Sequence, residues 1–370
     1  MRLLLTGGGT AGHINPALAI ANCFCEREEN VEVMFIGTAA GLETELVPRA
    51  GYALELIKIH GFDRSLTLKN FKNICELIPA IHASDKIIKK FKPDVVVGTG
   101  GYVSGPVLYA AAKRKIPTLV HESNAFPGIT TKILSNYVDK VALGVEDAKK
   151  FLKRTDNTIL TGTPVRPSLL GKNQFEARRE LGLDERPFIV IFGGSLGARD
   201  FNKALADWVA TSDKINDYQI LMGTGKANQY QAVMERLKEK GADIAKMPDL
   251  TINEYIYNMD VAMNAADVVI SRAGASTLCE LTALGKPAIL VPSPYVTDNH
   301  QEYNARAVEN AGGAKVILEK DFNPETISDA LNEILNKETL ALMKKSSKAV
   351  GYHANAIDVL HNEIKGLVNK

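Results

Sequence analysis

The chain has few cysteines. Cys23, Cys25, Cys75 and Cys279 are all it holds in 370 residues. Their spacing fits neither a zinc site nor a CxxC redox pair, which removes both as organising principles. Cys23 and Cys25 lie two apart in an expected helix and so point to different faces. The four read as small thiols, buried or partly exposed, in a reducing compartment. No run of about 18 apolar residues occurs, so no transmembrane helix is expected. The apolar opening, Met1–Thr6, is too short for the core of a signal peptide. A surplus of one charge is also missing: 44 Lys and Arg stand against 43 Asp and Glu, a formal charge of +1. Such a balance gives no overall field to attract nucleic acid, which is not expected as a partner.

What is present is ordinary globular composition, 45% hydrophobic and 24% charged, in a length that suits two domains. The chain also contains a distant copy of itself. Arg2–Thr6 is apolar and runs into Gly7–Gly12 (GGGTAG); Phe188–Phe192 (FIVIF) runs into Gly193–Ala198 (GGSLGA). Asp94-Val95-Val96-Val97 leads through a glycine-rich turn, a helical stretch and Pro117 to an apolar strand ending at Val120. Asp267-Val268-Val269-Ile270 leads through the same succession and Pro287 to Val291. Each segment reads as a βαβ unit of a buried parallel sheet. The expectation is an α/β protein of two doubly wound Rossmann-like domains facing an interdomain cleft, with the boundary in Gly162–Gly171 (GTPVRPSLLG). In open parallel sheets ligands bind outside the carboxyl ends of the strands, so the glycine loops of both halves should line that cleft.

Gly7, Gly9 and Gly12 match the GxGxxG dinucleotide pattern after a strand and before a helix. The acid that such a site needs at the end of its second strand is missing. Glu32 has roughly the right separation, about 20 residues, but it opens the strand instead of closing it. A nicotinamide reductase is therefore disfavoured. Glycine loops follow three strands, at Gly7–Gly12, Gly98–Gly105 and Gly193–Gly197, and backbone amides at helix N-termini suit phosphate. Ser195 can reach a phosphate or cap its helix. Gly274–Thr277 begins a helix carrying Glu280, a carboxylate that suits either the helix dipole or a ribose diol. His13 opens the first helix, where a neutral imidazole can take a proton from an attacking hydroxyl, bind a phosphate or only pack. No Asp-x-Asp occurs, so no metal is implied. Helix termini and a cation such as Arg166 are left to offset charge on a departing diphosphate.

Seven motifs then stand in order: GGGTAGHINP (Gly7–Pro16), GTGGYVSGP (Gly98–Pro106), HESNAFPG (His121–Gly128), TGTPVR (Thr161–Arg166), GGSLGA, SRAGAST (Ser271–Thr277) and DNHQEYNA (Asp298–Ala305). Together they resemble the MurG family of N-acetylglucosaminyltransferases, over Met1 to about Val316. The resemblance implies a GT-B fold and inverting transfer of GlcNAc from UDP-GlcNAc to the 4-hydroxyl of MurNAc-pentapeptide on undecaprenyl diphosphate, without a metal or other cofactor. It implies donor contacts at Thr10, Ala11, Gly12, Asn124, Arg166, Ser195, Ile256 and Gln301. Ala275, Ser276 and Thr277 would lie along the diphosphate, with Glu280 at the ribose. It makes His13 the catalytic base and Gly100, Gly101, Tyr102 and Ser104 the acceptor loop. Residues 1–163 would form the acceptor and membrane-side domain and 164–345 the donor domain, with 346–370 a helix packing back on the first. The pattern departs from the family at Ser123, Leu196 and His300, where Gln is common.

A lipid-linked acceptor directs attention to Leu66–Lys92. Leu66, Leu68, Phe71, Ile74, Ile78 and Ile81 stand largely at helical spacing, with Lys69, Lys72, Lys86, Lys89 and Lys90 around them. Such a stripe can lie on an anionic bilayer or pack on the domain core. The expected location is peripheral, on the cytoplasmic face of the cell membrane. Rival readings are a UDP-GlcNAc 2-epimerase and a membrane-docked sugar-nucleotide scaffold without activity.

Overall fold

The computed structural model describes residues 1–59, 68–165, 167–194, 197–225, 227–296, 299–350 and 355–369, with the backbone alone for residues 11, 68–75, 167, 168 and 227. Two compact units emerge, Met1–Arg166 with Tyr352–Lys370, and Pro167–Gly351.

The first unit is built on seven strands, β1 (Arg2–Thr6), β2 (Glu32–Gly37), β3 (Ala53–Leu56), β4 (Val95–Gly98), β5 (Thr118–Glu122), β6 (Lys140–Leu143) and β7 (Thr158–Leu160). All pair in parallel, in the order β3-β2-β1-β4-β5-β6-β7. Because both faces of such a sheet are covered, its central strands carry unbroken apolar runs, Leu3–Leu5 in β1 and Val95–Val97 in β4. Leu4 and Val96 face one core, with Val107 and Leu108 of α4 (Ser104–Lys113), Ile88 of α3 (Leu68–Phe91) and Leu134 of α5 (Ile129–Leu134). Their neighbours Leu3, Leu5, Val95 and Val97 face the other, against Ile14, Ile20 and Phe24 of α1 (Ala11–Arg27) and Val47 of α2 (Glu43–Arg49). That division is the period-two alternation of a strand.

The second unit has six parallel strands, β8 (Phe188–Phe192), β9 (Gln219–Gly223), β10 (Leu250–Asn253), β11 (Val268–Ser271), β12 (Ala288–Leu290) and β13 (Ala314–Val316), in the order β10-β9-β8-β11-β12-β13. The order repeats that of the first unit without its last strand, as the internal repeat requires. The two aspartates that open the repeated segments even do the same job. Asp94 accepts from the backbone N–H of Arg2 at 2.7 Å, and Asp267 from that of Phe188 at 3.0 Å, so each acid ties the start of its unit's first strand. In both sheets the order reverses beside the first strand, β1 standing between β2 and β4 and β8 between β9 and β11. A crevice opens at that reversal, outside the carboxyl ends. Glu32 begins β2, exposed at the far end of the sheet.

The helix Ala356–Val368 packs Leu360 and Ile364 into the α1 side of the first unit. Residues 346–350 instead finish the helix Lys337–Val350, which belongs to the second unit, where Ser347 Oγ donates to the Lys286 carbonyl. Glu28, at the end of α1, accepts from Lys365 Nζ at 2.7 Å and binds His361 Nε2 at 2.9 Å. The Lys365 hydrogen bond, followed by the ammonium charge and His361, holds the Glu28 carboxyl below its ordinary value. A carboxyl depressed by folding stabilises the fold above its ordinary value and loses that contribution as pH falls from there through its lower folded value. The unfolding midpoint should therefore drop less between about pH 7 and about pH 3 in Glu28→Gln than in the wild type, measured by circular dichroism; equal drops would remove Glu28 from the tether. Among the described residues no helix is long and apolar enough to cross a membrane.

Candidate functional site

In the first unit the crevice lies between the loops that follow β1 and β4. The chain leaves β1 through Gly7–Thr10 and enters α1 with Thr10 as the exposed N-cap and no acid in the first turn. With no acid in its own first turn, the helix leaves its first amides to a ligand. His13 sits half-buried one turn in, its Nδ1 3.1 Å from the carbonyl oxygen of Gly8. A carbonyl only accepts, so Nδ1 carries the hydrogen in the neutral ring and Nε2 presents a lone pair. The second loop comes against this ring. Thr99 Oγ1 donates to the His13 carbonyl at 2.6 Å. A Cβ on Gly100 would meet His13 Cδ2 at 2.6 Å and Nε2 at 3.0 Å, and one on Gly101 would meet the Gly8 carbonyl oxygen at 2.5 Å. Both glycines have positive φ, +109° and +81°. Here glycine is demanded twice, by conformation and by space.

The structure thus brings His13, Gly12, Gly100, Gly101 and Tyr102 into one crevice; Tyr102 reaches Thr38, their oxygens 3.5 Å apart. Ser104 belongs to the same loop but faces inward. Fully buried, its hydroxyl lies 2.7 Å from the Gly100 carbonyl and 3.2 Å from that of Thr6, so it holds the loop's backbone. Asn124 is likewise turned toward protein: its backbone N–H and Nδ2 both donate to Glu122 Oε1, at 3.0 and 2.8 Å, while Glu122 Oε2 takes the Gly128 N–H at 3.0 Å. The adjacent His121 is completely buried, and burial pushes its imidazole below the ordinary value, so it is neutral. Its Nε2 donates to the Gly162 carbonyl at 2.8 Å.

One residue of this site escapes a search of the sequence. An acid does stand beyond the carboxyl end of β2, at Glu43, though not at the spacing of a dinucleotide site. Its carboxylate is buried, accepting from Gly9 N–H and Thr38 N–H at 2.9 Å each and from Thr38 Oγ1 at 2.8 Å. It points at the glycine loop itself, where a nicotinamide enzyme would present it to a ribose. The only signal in the sequence is its place in GLETELVP (Gly41–Pro48), just after Gly37-Thr38.

In the second unit the expected donor residues gather at the carboxyl end of its own sheet. The helix Ala275–Leu284 starts after β11 with Gly274 as N-cap and no acid in its first turn, and Ala275, Ser276, Thr277 and, one turn on, Glu280 are half-buried there. Ile256 follows β10 and is buried against Gly223 at the end of β9, while the exposed rings of its chain neighbours Tyr255 and Tyr257 meet edge to face. Gln301 Oε1 accepts from the Ser293 N–H at 2.9 Å and so fixes the chain beyond β12. Arg272, within SRAGAST, is committed inside the unit: Glu319 pairs with it, the Val291 carbonyl accepts at 3.2 Å, and the Phe201 ring lies 5.1 Å away. Arg166, Ser195, Leu196 and Asp298 lie outside the described residues, as does the side chain of Ala11.

Two family models match. The glycosyltransferase family 28 N-terminal domain covers residues 3–143 and its C-terminal domain residues 188–360. A relative from Acetivibrio thermocellus, named UDP-N-acetylglucosamine--N-acetylmuramyl-(pentapeptide) pyrophosphoryl-undecaprenol N-acetylglucosamine transferase, is 45% identical over 100% of this chain and 98% of its own. One of the same name from Ruminiclostridium cellulolyticum is 46% identical over 94% of both. The crystal structure of MurG from Acinetobacter baumannii superimposes with a TM-score of 0.75 at 27% identity, covering 99% of each chain. Two parallel α/β units of matching strand order, glycine loops at their carboxyl ends and full-length kinship together place the chain in glycosyltransferase family 28, as a member of its MurG group with the GT-B fold.

Proposed function

We propose that His13 is the base in transfer of GlcNAc from UDP-GlcNAc to the 4-hydroxyl of N-acetylmuramyl-(pentapeptide) pyrophosphoryl-undecaprenol, the step of peptidoglycan synthesis for which the relatives are named. The observation that carries this reading is the bare Nε2 of His13, set beside Gly100 by the Nδ1 hydrogen bond to Gly8. Nε2 takes the proton of the acceptor hydroxyl as its oxygen bonds to the anomeric carbon. The bond from that carbon to the UDP oxygen breaks, UDP departs with the electron pair, and the configuration inverts. Charge on the leaving diphosphate is offset by the amides that open the helix at Ala275–Thr277 and by Arg166, with Glu280 at the ribose and Ile256 at the uracil. Thr10, Ala11, Gly12, Asn124, Ser195 and Gln301 complete the donor contacts, and Gly100, Gly101 and Tyr102 receive the acceptor diphosphate, their loop braced by Ser104. Transfer of labelled GlcNAc to a soluble acceptor analogue tests the proposal. Epimerisation of UDP-GlcNAc without acceptor, followed by proton NMR, would replace it with the 2-epimerase reading.

The acceptor's lipid places the first unit at an anionic membrane, on its cytoplasmic face. Ile78 on α3 and Ile129 and Ile133 on α5 are 66%, 53% and 56% exposed, and the two helices flank α4 on one side of the sheet. Lys132 lies 3.7 Å above the Phe126 ring, and Lys86, Lys89 and Lys90 are exposed along α3. Ile81, by contrast, packs on the core. Leu66 lies outside the described residues, as do the side chains of Leu68, Lys69, Phe71, Lys72 and Ile74. Exposed apolar groups ringed by lysines bind best where headgroups are anionic. Ile78→Glu with Ile129→Glu should lose co-sedimentation with phosphatidylglycerol vesicles and keep transfer to a soluble acceptor. Undiminished sedimentation would move the membrane face elsewhere.

A further inference from the structure

The hydrogen bonds around His13 continue beyond Gly8. The carbonyl that receives Nδ1–H and the N–H of Gly9 belong to one peptide group, and that N–H donates to Glu43 Oε2 at 2.9 Å. In a trans peptide the two dipole ends point opposite ways. A carboxylate therefore sits at one end of the unit and an imidazole at the other. From this geometry we infer that Glu43 is a positioning residue which fixes the tautomer of His13 through the Gly8–Gly9 peptide. The inference rests on His13 acting as the base.

Each link has a physical reason. Glu43 is 1% exposed and has three protein donors, so its carboxylate is fixed in place. The peptide is held on both sides. A Cβ on Gly8 would come within 2.5 Å of Glu43 Oε1, and one on Gly101 within 2.5 Å of the Gly8 oxygen. Its oxygen and its N–H are each engaged, by His13 and by Glu43. Hydrogen bonds in a chain polarise one another, by about 10–30% per bond. Negative charge at the Gly9 N–H makes the Gly8 oxygen a stronger acceptor, which favours hydrogen on Nδ1 and leaves Nε2 bare. When Nε2 takes the acceptor's proton, the same chain faces the new imidazolium with a carboxylate one peptide away. This is the work a buried aspartate does by direct contact in a catalytic triad, with a peptide interposed. Thr38, which donates twice to Glu43 and meets Tyr102, ties the second loop to the same carboxylate.

Imidazole ¹⁵N shifts, recorded where the ring is neutral, report the tautomer directly. The His13 signals are those absent from His13→Ala. Wild type should show hydrogen on Nδ1. In Glu43→Gln the side-chain oxygen stays with the Thr38 donors, so its NH₂ meets the Gly9 N–H and that bond is lost. The Nδ1–H fraction should fall, and kcat should drop about 10- to 100-fold. Glu43→Asp keeps the charge but draws it back from Gly9 by one methylene. It should move the tautomer the same way by less, and it decides the matter if Glu43→Gln does not fold. Hydrogen on Nε2 in the wild type, or an unmoved tautomer in whichever variant folds, overturns the inference. A fully active His13→Ala enzyme would overturn the base reading alone and leave the tautomer result standing.

Discussion

Replacing His13 with alanine is expected to lower kcat about 10²–10⁴-fold, the usual cost of removing a general base. Affinity for UDP-GlcNAc, measured by calorimetry, should change little, because the imidazole is assigned to the acceptor's proton and not to the donor. A group that acts only in the transition state lowers kcat and kcat/KM together. The structure limits what the imidazole can do otherwise. Its Nδ1 is taken by the Gly8 carbonyl, and its ring edge lies against Gly100, so the side chain can present only Nε2 to a ligand. Retained turnover with weakened binding of the acceptor diphosphate would make His13 a phosphate ligand instead.

Gly101→Ala should be the next most damaging change. With φ at +81°, alanine there pays roughly 1–2 kcal/mol for the left-handed backbone. It also drives a methyl group to within 2.5 Å of the Gly8 oxygen. Backbone cannot swing aside as a side chain does, so the Gly8–Gly9 peptide must move and His13 with it. A displacement of about 1 Å at a reacting group can cost 100-fold in rate, and that is the loss expected here. Gly51→Ala is the control. Its φ is +85° and no atom lies within 4 Å of the added methyl, so it should pay the backbone strain and nothing else. Thermal midpoints should fall in both variants and kcat in Gly101→Ala only. Equal kcat values would show that the loop tolerates the methyl.

Sequence alone decides the features set by local pattern. Apolar runs such as Val95–Val97 and Ile189–Ile191 have to be covered on both faces, which dictates parallel sheets wrapped by helices. The repeated Asp-Val-Val segments, the glycine loops after the strands and the helix start that carries His13 are equally local. They made the family and the fold legible in the sequence.

Tertiary structure decided where each polar side chain finds its partner. Glu43 meets Gly9 across 34 residues of chain, and Ser104 meets Thr6 across 98. Asn124 turns its amide to Glu122, and Arg272 is paired with Glu319 inside its unit. Periodicity places a residue on a face, but it carries no record of which distant donor or acceptor the fold will bring there. A buried carboxylate must find such a partner or pay several kcal/mol, and only the folded chain supplies the address.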